Sequence, residues 1–265
     1  MKNFKKILFL IGVLSIALAC NIKSKKTTDS VSVNPLISNK EFKKIFDGKT
    51  LKNWKGDSNY WRIENGNLVG EVTPETILKR NTFIIWEGDQ PDNFELKLEY
   101  RISAKGNSGI NYRSELIDKI PFALRGYQAD IDGQNNYTGQ NYEERKRTTL
   151  AYQGEKVTIE NQIDRKTSDS LIANIKKNCW QSREIISSLR NLDTLKSIIK
   201  KNQWNKIHLI VKDNTFQHYV NEVLMSEVID NDSINRSASG YIGVQVHVGP
   251  PMKVEYRNIR LKYFE

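Results

Sequence analysis

The chain is poor in the residues that build compact metal and redox motifs: among 265 residues there are two cysteines and three histidines. No Cys/His cluster of zinc-finger spacing occurs, and no glycine-rich phosphate loop is present. Cys20 and Cys179 are not expected to pair, because Cys20 closes an export signal. Cys179 is then left alone and reads as a small buried residue. The formal net charge is +10, but the cations are scattered and no nucleic-acid motif accompanies them, so nucleic acid is not expected as a partner. No internal repeat is visible. The longest apolar run, residues 7–19, is too short to cross a bilayer comfortably.

That run has another reading. Three lysines precede it and a small residue, Ala19, stands before Cys20. A basic start, a short apolar core and a small residue before the cut describe a secretory signal. The end of the run resembles a lipobox, in which the Cys20 thiol carries the lipid, although Ala17 stands where Leu is usual; an ordinary cleaved signal is the alternative. Residues 21–40 are rich in Lys, Ser, Thr and Asn without periodicity, so they read as a flexible tether. The expectation is an exported protein, held in the bacterial cell envelope by a lipid anchor only.

From residue 41 the chain reads as one β domain, 41–265. Phe94-Glu95-Leu96-Lys97-Leu98-Glu99-Tyr100-Arg101-Ile102 alternates apolar and polar, the period of a half-buried strand. Residues 206–212 and 254–263 alternate likewise. Turn signals stand at Asp47-Gly48, Asn65-Gly66, Gly106-Asn107 and Gly249-Pro250-Pro251. Such strands fit a β-sandwich. Residues 168–201 break the pattern: Leu171, Ile172, Ile175, Ile185, Ile186, Leu189, Leu192, Leu195, Ile198 and Ile199 recur at helical spacing. One or two short helices, capped by Ser168 or Asp169, are expected there.

Several segments resemble the 3-keto-disaccharide hydrolase domain. They include Ile45-Phe46-Asp47-Gly48-Lys49-Thr50-Leu51-Lys52-Asn53-Trp54, Asn107-Ser108-Gly109-Ile110-Asn111-Tyr112-Arg113 and Gly126-Tyr127-Gln128-Ala129-Asp130-Ile131-Asp132. Gly139-Gln140-Asn141-Tyr142-Glu143-Glu144-Arg145 and Tyr241-Ile242-Gly243-Val244-Gln245-Val246-His247 continue the series. Their order spans about residues 42–264. The resemblance implies a concanavalin A-like jelly-roll β-sandwich, here with the short helical insertion at about 168–201. Two departures stand out. The family usually has Asn-Gly where this chain has Asn221-Glu222, and many members carry Glu at the place of Gln128.

The resemblance also implies a substrate: a glycoside whose sugar is already oxidised to a ketone at carbon 3. The ketone acidifies the hydrogen on carbon 2 and sets the glycosidic oxygen β to the carbonyl. Elimination followed by hydration then gives net hydrolysis. Such a site needs a base, an acid and a group to hold the enolate. His247 can serve as acid, base or ligand near neutral pH. Asp130 and Asp132 lie two apart and share a strand face. Glu143 and Glu144 follow a glycine-containing loop, and either suits a base. Arg113, after the close-approach Gly109, could hold an enolate. Asn107, Ser108, Tyr127, Gln128, Asp132 and Gln245 are candidate sugar contacts, and Glu71 is a weaker candidate. His208 and His218 read as structural. No cofactor is evident; a divalent cation on oxygen and imidazole ligands stays open. Two other functions stay open as well, a non-catalytic carbohydrate-binding module and an ordinary glycoside hydrolase with paired carboxylates.

Overall fold

A computed structural model describes residues 41–161 and 169–264. The expected export signal, the lipidation residue Cys20 and the tether lie outside the described residues, as does Ser168. Among the described residues no helix is long and apolar enough to cross a membrane.

The chain opens with β1 (Lys43–Lys44), β2 (Trp54–Lys55), β3 (Trp61–Glu64), β4 (Asn67–Val72) and β5 (Thr82–Trp86). Then follow β6 (Phe94–Ile102), β7 (Asn107–Leu116), β8 (Leu124–Asp132), β9 (Asn141–Glu144), β10 (Thr148–Ala151) and β11 (Glu155–Ile159). The insertion holds α1 (Asp169–Lys176), β12 (Arg183–Ser188) and α2 (Leu192–Ser197). The chain closes with β13 (Asn205–Lys212), β14 (Thr215–Val220), β15 (Val223–Asp230), β16 (Tyr241–Val246) and β17 (Met252–Tyr263).

These strands form two sheets. One runs β12-β11-β15-β14-β13-β6-β17-β4-β3, with β1 added against β17; the other runs β10-β9-β8-β7-β16-β5-β2. Neighbours are antiparallel, except that β11 runs parallel to β15. The alternation of β6 is realised strictly: Phe94, Leu96, Leu98, Tyr100 and Ile102 are buried and the residues between them face outward. From the second sheet, Ile110, Tyr112, Tyr127, Ala129 and Ile131 enter the same core. Tyr112 stacks on Tyr127 at 5.5 Å, and Phe216 closes against both. Each such side chain withdrawn from water contributes roughly 1.5–3 kcal/mol. The result is the β-sandwich that the alternation implied, with the jelly-roll architecture that the resemblance implied.

The insertion differs from its expectation in one respect. Residues 183–188 form an edge strand rather than a helix, pairing antiparallel with β11. Ile185 and Ile186 are exposed there, 54% and 51%, so their spacing reflects no buried helical face. The backbone needs of β11 decide the outcome: its outer edge finds partners in β12. Asn178, at φ 54°, follows the end of α1, and the Asn191 side chain caps α2 by accepting from the amides of Asp193 and Thr194.

The altered turn also has a physical reading. Asn221 and Glu222 join β14 to β15 with φ of 48° and 72°, the geometry of a type I′ hairpin. Glu222 takes the left-handed conformation in which glycine is freer.

Candidate functional site

The outward face of the seven-stranded sheet carries a cleft of about 580 Å³. Strand β8 supplies its floor. Period-2 alternation sends Tyr127, Ala129 and Ile131 into the core and turns Gln128 and Asp130 to the cleft. Gly109 of β7 lies opposite Asp130. A Cβ there would stand 2.4 Å from Cδ of Gln128, so the glycine makes room for the glutamine to lie across the sheet.

That glutamine belongs to a chain of amides. Gln245 Nε2 donates to Gln128 Oε1 at 3.2 Å, and Gln128 Nε2 donates to Asp130 Oδ1 at 2.6 Å. Gln140 Nε2 donates to the other oxygen, Asp130 Oδ2. Asp130 is only 8% exposed, and no cation is hydrogen-bonded to it among the described residues. Burial pushes its carboxyl up to about 7, against the two amide donors that favour the charged form; the charges of Glu144 and Asp132 add to the rise.

The cleft wall brings further groups to Asp130. Glu144 projects from β9, and Asn81 from the segment before β5 donates to Glu144 Oε1 at 3.2 Å. Asn81 Oδ1 accepts from the Val248 amide at 2.9 Å, which fixes the loop carrying His247. His247 lines the cleft just past β16, with Nδ1 bonded to the carbonyl of Val248. A carbonyl only accepts, so Nδ1 carries the hydrogen and the neutral ring keeps its lone pair on Nε2. The β7–β16 register sets Ile110 opposite Val244; continued three residues, it sets Asn107 opposite His247. Asn107 lines the cleft, and its amide has no partner among the described residues.

Among the residues expected from sequence, the cleft thus brings together His247, Asp130, Glu144, Asn107 and Gln128, with Gln245 buried one step behind. Others stand elsewhere. Glu143 faces the opposite side of β9 from Glu144, where it pairs with the buried Arg147. Tyr127 faces the same interior and donates to Asp230 at 2.6 Å. Arg113 sits at a bulge of β7 with φ 43°, and its guanidinium donates to the carbonyls of Asp92 and Asp213. It ties loops together, away from the cleft. Ser108 is buried against Tyr256 at 2.5 Å. Asp132 ends β8 instead of continuing its face: its carboxylate accepts from the amides of Gln134, Asn136, Tyr137 and Thr138 and braces that loop. Glu71 pairs with Arg62 on the other sheet. His208 pairs with Glu95 at 2.7 Å, and His218 lies inside the sandwich against Tyr112.

Other cleft residues went unnoticed in the sequence. Gln140 and Tyr142 fall inside a family segment, and alternation on β9 would have paired Tyr142 with Glu144. Asn81, Tyr152 and Asn178 come from segments without a motif, and no local signal marks them. Among the described residues no group of three or more His, Cys, Asp or Glu side chains is arranged to hold a metal ion. Each oxygen of Asp130 accepts from one amide donor.

The described residues thus form a jelly-roll sandwich with a polar cleft on the outward face of one sheet. The profile of the 3-keto-alpha-glucoside-1,2-lyase-like domain matches residues 41–262, and the chain belongs to this family. A provisionally assigned glycosyl hydrolase from Parabacteroides distasonis is similar in structure at TM-score 0.52 and 19% identity, covering 84% of this chain and 94% of that one. A Bacillus subtilis protein of unknown function with a galectin-like fold is also similar, at TM-score 0.52 and 12% identity, covering 84% and 98%. At such identities the likeness is one of fold. No curated protein matches the chain.

Proposed function

We propose that this domain cleaves 3-keto-glycosides by elimination across carbons 1 and 2, followed by hydration. The observation that carries the reading is Asp130, a desolvated carboxyl on the cleft floor whose pKa of about 7 lets it exchange a proton near neutrality. His247 Nε2 takes the proton from carbon 2. The C–H electron pair becomes the enolate, with its negative charge on the carbon-3 oxygen, and the Asn107 amide donates to that oxygen. The enolate collapses to a carbon 1–carbon 2 double bond as the glycosidic C–O bond breaks. Protonated Asp130 supplies the hydrogen to the leaving oxygen. Water then adds across the double bond, its oxygen to carbon 1 and a proton to carbon 2, releasing the 3-keto sugar and the alcohol. Arg113, expected from sequence to hold the enolate, is committed to backbone carbonyls, and Asn107 takes that role here. No step is routed through a metal.

The test offers the purified protein a disaccharide and its 3-keto form, with and without EDTA. Turnover of the keto form alone, unaffected by EDTA, is the expected result. Release of sugar from the unoxidised disaccharide would point to an ordinary glycoside hydrolase. Binding without turnover of either would point to a carbohydrate-binding module.

A further inference from the structure

The insertion does more than extend a sheet edge. Its segment 177–180 is stitched onto β10, the outermost strand of the cleft sheet. Cys179 bridges to Thr149, and the Trp180 amide donates to the Thr149 carbonyl at 2.9 Å. Tyr152, just beyond β10, donates its hydroxyl to the Lys177 carbonyl at 2.7 Å. The Arg183 guanidinium stands 5.8 Å from the Tyr152 ring and pairs with Glu155 at 3.0 Å. These contacts hold Tyr152 and Asn178 at the cleft wall, and both line it. Asn178 takes a left-handed backbone, φ 54°. Its side-chain amide is exposed and has no partner among the described residues.

The position of this wall relative to Asp130 gives it a role. Thr149 of β10 lies opposite Tyr142 of β9, and Tyr142 opposite Gln128 of β8. Adjacent strands are about 4.8 Å apart, so β10 stands about 10 Å from the strand that carries Asp130, with β9 between them. His247 and Asn107 flank Asp130 on the other side, just past β16 and on β7. A glycosidic oxygen above Asp130, with the oxidised ring toward His247, sends the departing sugar across β9 to the insertion. Tyr142 and Tyr152 offer it aromatic faces, the surface that sugar rings pack on. Asn178 offers a free donor and acceptor for its hydroxyls.

We infer that the insertion forms the subsite for the departing sugar, and that Tyr152 and Asn178 select it. The inference rests on the reaction proposed above. The experiment measures kcat/KM of the full protein on a 3-keto-disaccharide and on the methyl 3-keto-glucoside, which has no second ring. Asn178→Gly keeps the left-handed backbone and deletes the amide; Tyr152→Ala deletes the ring. The wild type is expected to prefer the disaccharide, and each variant to lower the disaccharide-to-methyl ratio about tenfold, the size of one lost hydrogen bond for Asn178→Gly and of one lost aromatic contact for Tyr152→Ala. If both substrates turn over and the ratio stays unchanged in both variants, or the wild type shows no preference, the subsite inference is overturned and the reaction stands. A wild type that cleaves neither substrate overturns the reaction and the inference together.

Discussion

Strands β8 and β9 bury carboxylates on both of their faces, and the two faces treat them differently. On the core side, Glu143, Asp230 and Asp232 surround Arg147. Arg147 reaches Asp230 with both terminal nitrogens, at 2.6 and 3.1 Å, and Asp232 at 3.4 Å, while its Nε pairs with Glu143. Burial works against the charged guanidinium, but Asp230 and Glu143 more than offset it and hold its pKa above the ordinary value. On the cleft side, Asp130 is hydrogen-bonded by the amides of Gln128 and Gln140 and by no cation among the described residues. Both environments are dry; the difference is a cation. With one, buried carboxylates are fixed as ions that hold the sandwich together. Without one, a buried carboxyl holds or releases its proton near neutral pH, which is what acid–base chemistry requires.

The sharpest way to break the comparison is to remove the key group on each side. Asp130→Asn is expected to lower kcat/KM on a 3-keto-disaccharide by about 10²–10⁴-fold, the usual worth of a positioned acid. It is expected to leave the fold intact. The substituted amide still accepts from Gln128, and Gln140, whose Oε1 has no partner among the described residues, can turn its own amide to accept from the new NH₂ group. Arg147→Met leaves three carboxylates without their guanidinium and is expected to cost about 3–5 kcal/mol in urea unfolding. Should Asp130→Asn cost as much stability as Arg147→Met, or Arg147→Met cost almost none, the division into a working face and a structural face is wrong.

A subtler intervention sharpens the working face. Gly109→Ala puts a methyl group into the space of the Gln128 amide. Displaced, Gln128 no longer donates to Asp130, and a donor that favoured the charged form is lost, so the carboxyl pKa rises above about 7. In the proposed reaction Asp130 acts protonated, so activity is expected to fall as pH rises through its pKa. The high-pH limb of the kcat/KM profile is therefore expected to move upward in the variant. The crowding also costs about 1–3 kcal/mol of stability. A high-pH limb that stays in place would remove the amide chain from the mechanism.

The same two faces show what a sequence carries and what it does not. Alternation along residues 94–102 and 127–131 is a local signal that fixes which residues enter the core, and it turns Gln128 and Asp130 to one side. Applied to residues 141–144, the same rule separates Glu143 from Glu144; treating both as candidate bases ignored it. Asp132 shared the parity of Asp130, but the chain turns at Gly133, and a parity argument fails at the end of a strand. Arg147, the partner of Glu143 four residues on, is bound in turn to Asp230, 83 residues beyond it, and no local pattern announces that second pairing. Residues 183–188 failed for the same reason. Their isoleucines had helical spacing, yet the hydrogen bonds that decided their conformation belong to β11.

A further test reaches both faces at once, through the pH dependence of folding. The folded-state pKa of Asp130, about 7, lies above its ordinary 3.8, so this group adds stability that is present below about 3.8 and lost as pH rises through about 7. His218, inside the sandwich against Tyr112 and Asn141, behaves in the opposite sense. Burial lowers it from 6.5 to about 4, against the carbonyls of Gln140 and Gly139. It adds stability that is present above 6.5 and lost as pH falls through about 4. Between about 4 and 6.5 the two slopes oppose each other in the wild type. Asp130→Asn deletes one of them, so its stability relative to wild type is expected to climb with pH, by up to about 1.4 kcal/mol per pH unit for one proton. His218→Gln deletes the other, and its relative stability is expected to decline with pH over the same window. Urea unfolding of the three proteins across that window measures both differences. A flat difference for Asp130→Asn would mean that the cleft carboxyl ionises as freely in the folded protein as in the unfolded chain, and the contrast with the cation-bearing face would then lose its physical basis.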